Sequence, residues 1–217
     1  MNAPSFPVAQ EADYHFPLVP AMPEEPVLPL TVEAYHALLQ AGIIQDGDPI
    51  ELLEGFLVPK MTKGPKHAAV KRRFLRLINP FIPPSCFVDA QEALVAADSE
   101  PEPDVYVVHG PEAKYERRHP GPGEVEMVVE ISESSLRRDR NVKKRIYARA
   151  AIPSYWVINL VGNCIEVFTQ PSGNAKKPTY AQTAVYSAAD EVPFVIDGKE
   201  IGRISAAAIL GEPKVEQ

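Results

Sequence analysis

Residues 125 to 133 read VEMVVEISE, and this stretch constrains the fold more than any other. Val125, Met127, Val128, Val129 and Ile131 make it apolar enough for an interior strand, yet Glu130 stands near its end. A carboxylate removed from water costs several kcal/mol or more unless it is paired, so a fold that buries this strand must bring a partner to position 130. The candidates are a cation from the chain, a metal ion, or solvent at the rim of the sheet.

The segments around this strand set the fold class. Thr31 is a plausible cap for a short helix over TVEAYHALLQAG, with Val32, Tyr35, Leu38 and Leu39 on one side and Gly42 as its stop. IELLEGFLV, residues 50 to 58, reads as a hairpin turning at Glu54 and Gly55. PKHAAVKRRFLRLIN from Pro65 reads as a helix that ends before Pro80, with Ala68 or Ala69, Arg72, Leu75 and Ile78 on helical spacing. CFVDAQEALVAA reads as one or two strands, PDVYVV as another, and residues 109 to 124, with Pro111, Pro120, Gly121, Pro122 and Gly123, as a loop. RRDRNVKKRIYARAA is a basic helix closed by Pro153; SYWVINL, CIEVFTQ and TYAQTAVY are strands, and SAAAIL is a short terminal helix. Strands interleaved with helices in this order predict an α/β (α+β) domain, a mixed sheet flanked by helices.

Residues 1 to 30 hold seven prolines and little periodicity, so they read as an extended or disordered arm; residues 31 to 210 form the domain and 211 to 217 a tail. No run approaches the roughly 18 apolar residues of a membrane span, and the first basic residue is Lys60, which leaves no basic-headed signal peptide and points to the cytoplasm. Cys86 and Cys164 stand far apart without a CxxC pair and read as two reduced thiols.

Net charge is -7, but it is unevenly spread. Residues 1 to 59 carry nine acidic and no basic side chains, which leaves the remainder at +2. In that remainder, 14 of the 22 basic residues fall in two segments, Lys60 to Arg76 and Arg137 to Arg149. Such clusters suit a phosphate-binding surface, or equally two solvated helix faces.

Asp104 opens one strand and Glu130 lies near the tail of the next, 26 residues on. If those strands pair, both carboxylates converge at one edge of the sheet, where their repulsion is relieved by a proton or by a divalent ion; hard oxygen ligands suit Mg2+ or Mn2+. Lys143, beside the Val142 and Ile146 stripe of the basic helix, is placed to reach back toward them and to orient a hydrolytic water. Singly, each of these residues is ordinary. Pro103-Asp104 is a common way to begin a strand, and Lys143 is one of seven basic residues in its segment.

EPEPDVYVV, the long segment from Val125 to Asn159, and IELLEGFLV together resemble the Uma-type restriction endonuclease domain, a branch of the PD-(D/E)xK nuclease superfamily, over roughly residues 31 to 210. The resemblance implies a restriction-endonuclease-like core, with Asp104 and Glu130 as metal ligands, the backbone carbonyl of Ile131 as a third, and Mg2+ as the ion. The superfamily lysine expected two positions after the glutamate is Ser132 here, and Lys143 matches the helix lysine that replaces it in this branch. Glu51 and His67 match further family positions, as does Glu92 or its neighbour Gln91.

The expected activity is Mg2+-dependent (or Mn2+-dependent) hydrolysis of DNA. Asp104, Glu130 and Lys143 are the catalytic set, and Lys66, Lys71, Arg72, Arg138, Arg140 and Lys144 contact phosphates without reading bases. The superfamily's habit of acting in pairs raises a homodimer as an expectation, although no apolar stripe marks an interface. The rival readings are a catalytically inactive nucleic-acid-binding module, which Ser132 motivates, and a structural or regulatory protein in which Glu130 simply pairs with Lys143.

Overall fold

A computed structural model describes residues 27–45 and 47–211. The arm expected over residues 1 to 30 lies outside the described residues up to position 26, as does the tail from position 212. Residues 27–30 run up to the first helix, α1 (Val32–Gln40), and the Leu30 N–H donates to the Gly55 carbonyl at 2.9 Å. Thr31 caps α1, its hydroxyl accepting from the Ala34 N–H at 3.1 Å.

The expected hairpin is β1 (Ile50–Leu53) and β2 (Phe56–Pro59), antiparallel, with Leu53 opposite Phe56. Its two turn residues, Glu54 and Gly55, both have positive φ (50° and 79°), the conformation a two-residue turn of this hand requires. Gly55 is needed here for a second reason. A Cβ at that position would lie 2.2 Å from the Pro29 Cβ.

A six-stranded sheet forms the centre. Its strands are β3 (Cys86–Asp89), β4 (Val105–His109), β5 (Val125–Ser132), β6 (Ser154–Asn159), β7 (Cys164–Pro171) and β8 (Tyr180–Tyr186), lying side by side in that order. Only β5 and β6 run parallel, since they are joined by the helical crossover, and every other pair is antiparallel. All eight residues of β5 are buried, as its apolar run requires.

Helix α2 (Pro65–Ile78) covers one face of the sheet with a buried stripe of His67, Val70, Phe74 and Ile78. The sequence reading put Ala68 or Ala69, Arg72 and Leu75 on that stripe. The helix is rotated from that expectation because Phe74 packs on Trp156, ring centroids 5.9 Å apart. The other face is covered by the crossover, in which α3 (Leu136–Arg138), a π-helical turn (Asp139–Lys143) and α4 (Lys144–Arg149) run without a break. The expected single helix is thus interrupted by a widened turn.

Two further differences concern strands. Of CFVDAQEALVAA only the first four residues form a strand; the rest is irregular, with Gln91 at a φ of 63°. Residues 187 to 204, unassigned from sequence, together with Ser205 contain a second hairpin, β9 (Glu191–Ile196) and β10 (Lys199–Ser205), turning at Asp197 and Gly198. This hairpin and α5 (Ala206–Leu210) complete the core on the α2 face, through Val192, Phe194, Ile196, Ile204, Ile209 and Leu210. Among the described residues no helix is long and apolar enough to cross a membrane.

Candidate functional site

The segment EPEPD delivers Asp104 to its place. Pro101 and Pro103 have no N–H to satisfy, and their carbonyls accept from Leu94 and Gln91, both at 2.9 Å. The intervening N–H groups face the opposite way: that of Glu100 donates to Leu52 O at 2.7 Å, and that of Glu102 reaches Glu51 Oε2 at a long 3.4 Å. Alternating prolines thus bind the chain between two neighbours and fix Glu51 of β1 beside Asp104 at the start of β4.

Asp104 is 3% exposed. Its Oδ2 accepts from the Ile131 N–H at 2.8 Å and meets His67 Nε2 at 2.9 Å. Its Oδ1 is, among the described residues, the one buried side-chain polar atom that makes no aligned hydrogen bond; Lys63 Nζ stands 2.8 Å away as an ion-pair partner. Burial pushes this carboxyl up, but the hydrogen bond from His67 and the charge of Lys63 outweigh it and hold the group at about 2. Asp104 is therefore a carboxylate at neutral pH.

Glu130 has the opposite balance. It is 4% exposed, and burial pushes its carboxyl up to about 8, helped by the nearby charges of Asp139, Asp104 and Glu51 and opposed by Lys143. The partner that the sequence demanded is Lys143, whose Nζ lies 3.0 Å from Glu130 Oε1 and 3.2 Å from Glu51 Oε2. Burial alone disfavours the Lys143 ammonium; Glu130, Glu51 and Asp139 reverse that and raise it above the ordinary lysine range. Tyr147, one turn further on, donates its hydroxyl to the same Oε1 at 2.7 Å.

The π-helical turn makes this approach possible. Asp139 at its start accepts from both Ser132 Oγ and Ser135 Oγ at 2.6 Å, while Tyr155 OH donates to its carbonyl at 3.0 Å. So anchored, the wider turn carries Asp139 and Lys143 inward together, both buried, before α4 resumes the apolar stripe of Ile146, Tyr147 and Ala148. Ser132, at the end of β5, thus holds this turn through its hydroxyl.

Asp104, Glu130, Ile131, Lys143, Glu51 and His67 all line one cavity of about 50 Å³, larger than the ~10–15 Å³ one water needs. Arg138 lines it too, its Nη1 lying 2.8 Å from Pro59 O and 3.3 Å from Glu51 Oε1. Six carboxylates (Glu51, Glu102, Asp104, Glu130, Glu133 and Asp139) face four fixed cations (Lys60, Lys63, Arg138 and Lys143). The donors are hard oxygens of the kind Mg2+ or Mn2+ takes. Asp104 Oδ1, buried and met only by the Lys63 ammonium at 2.8 Å, is an oxygen that such an ion could take in the lysine's place, so the residues fit it. The acids are not drawn into a tight cluster, however: Lys143 spans Glu130 and Glu51, and Lys63 faces Asp104. Among the described residues, the set of three ligand-type atoms within 4.8 Å of one another is elsewhere, at His109, Glu126 and Asp197.

The remaining expected residues lie around this cavity or away from it. Glu92 is exposed and does not line it. Lys66 donates to the Leu160 carbonyl at 3.0 Å, and Lys71 to Gln91 Oε1. Arg72 is exposed. Arg140 makes a two-pronged pair with the buried Glu166, and Lys144 lies over the Phe168 ring, 4.2 Å from its centroid. Residues that the sequence reading missed are Lys63, Asp139 and Tyr147. Tyr147 had a signal, since it follows Lys143 by four residues on a helix; Lys63 and Asp139 had none beyond their charge.

A family model, Uma2, described as "Putative restriction endonuclease", matches residues 32–197. Among solved structures, the chain is similar to one titled a "putative nuclease belonging to DUF820" from Anabaena variabilis ATCC 29413, with a TM-score of 0.62 and 16% identity over 84% of this chain and 98% of that one. At that identity the likeness shows the fold, a mixed sheet flanked by helices, and no more. No curated protein matches the chain.

Proposed function

The chain belongs to the Uma2 family, and from that premise we propose that it is a divalent-metal-dependent endonuclease hydrolysing phosphodiester bonds of DNA. Asp104, Glu130 and the Ile131 carbonyl would hold the ion, Mg2+ or Mn2+, with Glu51 beside them. When bound, such an ion polarises a phosphoryl oxygen and makes water a better nucleophile at neutral pH.

The residues of the chain supply the rest. His67 and the Ile131 N–H lock Asp104 with one oxygen turned away from its hydrogen bonds. Lys143 stays charged beside the scissile position, where it orients the attacking water by hydrogen bonding and offsets charge gathering on the phosphate oxygens. Tyr147 and Lys143 both bind Glu130 Oε1, fixing the rotamer of the side chain. Lys63 and Lys60 line the mouth and draw in a phosphodiester backbone; Arg138 faces the same cavity. Arg72, exposed on α2, extends that basic path.

The observation that carries this reading is the pairing of two unlike carboxylates at one cavity: Asp104, held ionised with one oxygen met only by the Lys63 ammonium, and Glu130, buried against an ammonium from the π-helical turn. The test is cleavage of supercoiled plasmid with Mg2+ or Mn2+ by the wild type and by Asp104→Asn and Glu130→Gln. Loss of nicking in both variants, with an unchanged circular dichroism spectrum, supports the proposal. Cleavage at the wild-type rate in either removes it.

A further inference from the structure

The opposite end of β4 and β5 gathers a second group of ligand-type side chains that plays no part in the cavity above. His109 closes β4 five residues after Asp104, roughly 17 Å away at ~3.3 Å per residue. Glu126 lies near the start of β5, and Asp197 occupies the turn between β9 and β10.

Glu126 reaches this group through a break in the ladder. By strict alternation it would share the face of Val128 and Glu130, toward α4. Val107 pairs with Met127 while Val108 pairs with Val125, so Glu126 is the extra residue of a β-bulge. A bulge re-aims a side chain. Here it sends the Glu126 carboxylate toward His109 and the β9–β10 turn, where its Oε1 accepts the Asp197 N–H at 2.9 Å.

His109 Nε2 lies 3.3 Å from Glu126 Oε2 and 3.7 Å from Asp197 Oδ1, and the three ligand atoms are mutually within 4.8 Å. A tetrahedral zinc ion with ligand bonds of about 2.0–2.2 Å holds its ligand atoms roughly 3.3–3.6 Å apart. The orientation of the groups is set by hydrogen bonds beyond the three ligand atoms, as in metal sites generally. The second Glu126 oxygen is occupied by the Asp197 N–H, and His109 Nδ1 faces the Cys86 Sγ at 3.4 Å, which leaves Nε2 toward the carboxylates. Asp197 itself sits in a tight two-residue turn, with φ of 51° there and 69° at Gly198.

We propose that His109, Glu126 and Asp197 form a second cation site, selective for Zn2+ or a transition-metal ion of its class, that clamps the β9–β10 hairpin to the end of the central sheet. Two carboxylates neutralise the ion's charge, and the imidazole gives preference over Mg2+, which favours oxygen ligands. Glu126 is 6% exposed whereas the Asp197 side chain is 61% exposed, so the ion has a solvent path from the turn. A clamp here would hold in place the hairpin whose Val192, Phe194, Ile196 and Ile204 fill the α2-side core.

The test is calorimetric titration of the full chain with Zn2+ alone and with Mg2+ alone, comparing wild type, His109→Ala, Asp197→Asn and Asp104→Asn, with thermal melts of each at saturating Zn2+. Asn tolerates the positive φ of position 197, so Asp197→Asn removes a charge and leaves the turn intact. The expected result is a saturable Zn2+ event, and a rise in melting temperature, present in both wild type and Asp104→Asn and separate from any Zn2+ taken up at the Asp104 cavity, which Asp104→Asn removes. In His109→Ala and Asp197→Asn the affinity falls about ten-fold or more, since losing even an outer-shell partner costs 10–100-fold. Zn2+ affinity unchanged in both of these variants, binding abolished by Asp104→Asn, or no saturable Zn2+ binding by the wild type overturns the proposal.

Discussion

The two ends of the β4–β5 pair present carboxylates in opposite ways. At one end Glu130 keeps the strand's alternation, is sealed from solvent, and depends on an ammonium carried inward by a π-helical turn. At the other, Glu126 leaves the alternation through a bulge and meets a one-third exposed histidine and an exposed aspartate. Burial with charge coupling therefore governs the first end, and exposed ligand geometry governs the second. A strand that is buried throughout can still deliver acids to either end, provided that a second element supplies the partner.

Substitutions at the Asp104 end should separate the two most strongly. Asp104→Ala or Glu130→Ala is expected to lower metal-dependent cleavage by about 10³-fold or more, whereas Asp197→Asn leaves the cleavage rate within about two-fold of wild type; initial nicking rates check both. Next in size is Lys143→Ala, which strips Glu130 and Glu51 of their shared cation. Breaking a buried pair typically costs about 3–5 kcal/mol, and urea denaturation at pH 9 should show a loss in that range, smaller at pH 6 where Glu130 takes up a proton. Tyr147→Phe removes one charge-assisted hydrogen bond to Glu130 and should cost about 1.5–3 kcal/mol in the same measurement.

The pH dependence has a defined sign. The folded Glu130 carboxyl titrates at about 8, above its ordinary 4.5, so the folded state binds the proton more tightly. Its contribution to stability is full below pH 4.5 and is lost as pH rises through about 8. Melting temperatures of the metal-free protein should therefore fall across that window, and the slope should flatten in Glu130→Gln. Asp104 works the other way: held at about 2, it contributes above its ordinary 3.8 and loses that contribution as pH falls through about 2. The smallest effect is at the surface. Arg72→Ala should weaken DNA binding nearly uniformly across sequences and reduce the magnitude of the salt slope by about one.

The sheet and its helices were legible because their signals are local. The Glu54–Gly55 turn, the Thr31 cap and the apolar run of β5 each declare themselves within a few residues. The convergence of Asp104 with Glu130 was legible from strand order and the family resemblance together. The π-helical turn was not, because its cause is tertiary: Ser132 and Ser135 grip Asp139 across the crossover. The bulge at Glu126 was hidden for the same reason, since it exists only in the register with β4. The β9–β10 hairpin carried a readable signal, Asp197-Gly198 between alternating apolar residues, that the sequence reading passed over.

The most direct test of the central claim, that Asp104 and Glu130 share one divalent ion, is an anomalous-scattering map from crystals soaked in Mn2+. The account predicts a peak touching both carboxylates and the Ile131 carbonyl, with Lys63 displaced from Asp104. A map with no peak at that cavity, and both lysines still on their carboxylates, would contradict it.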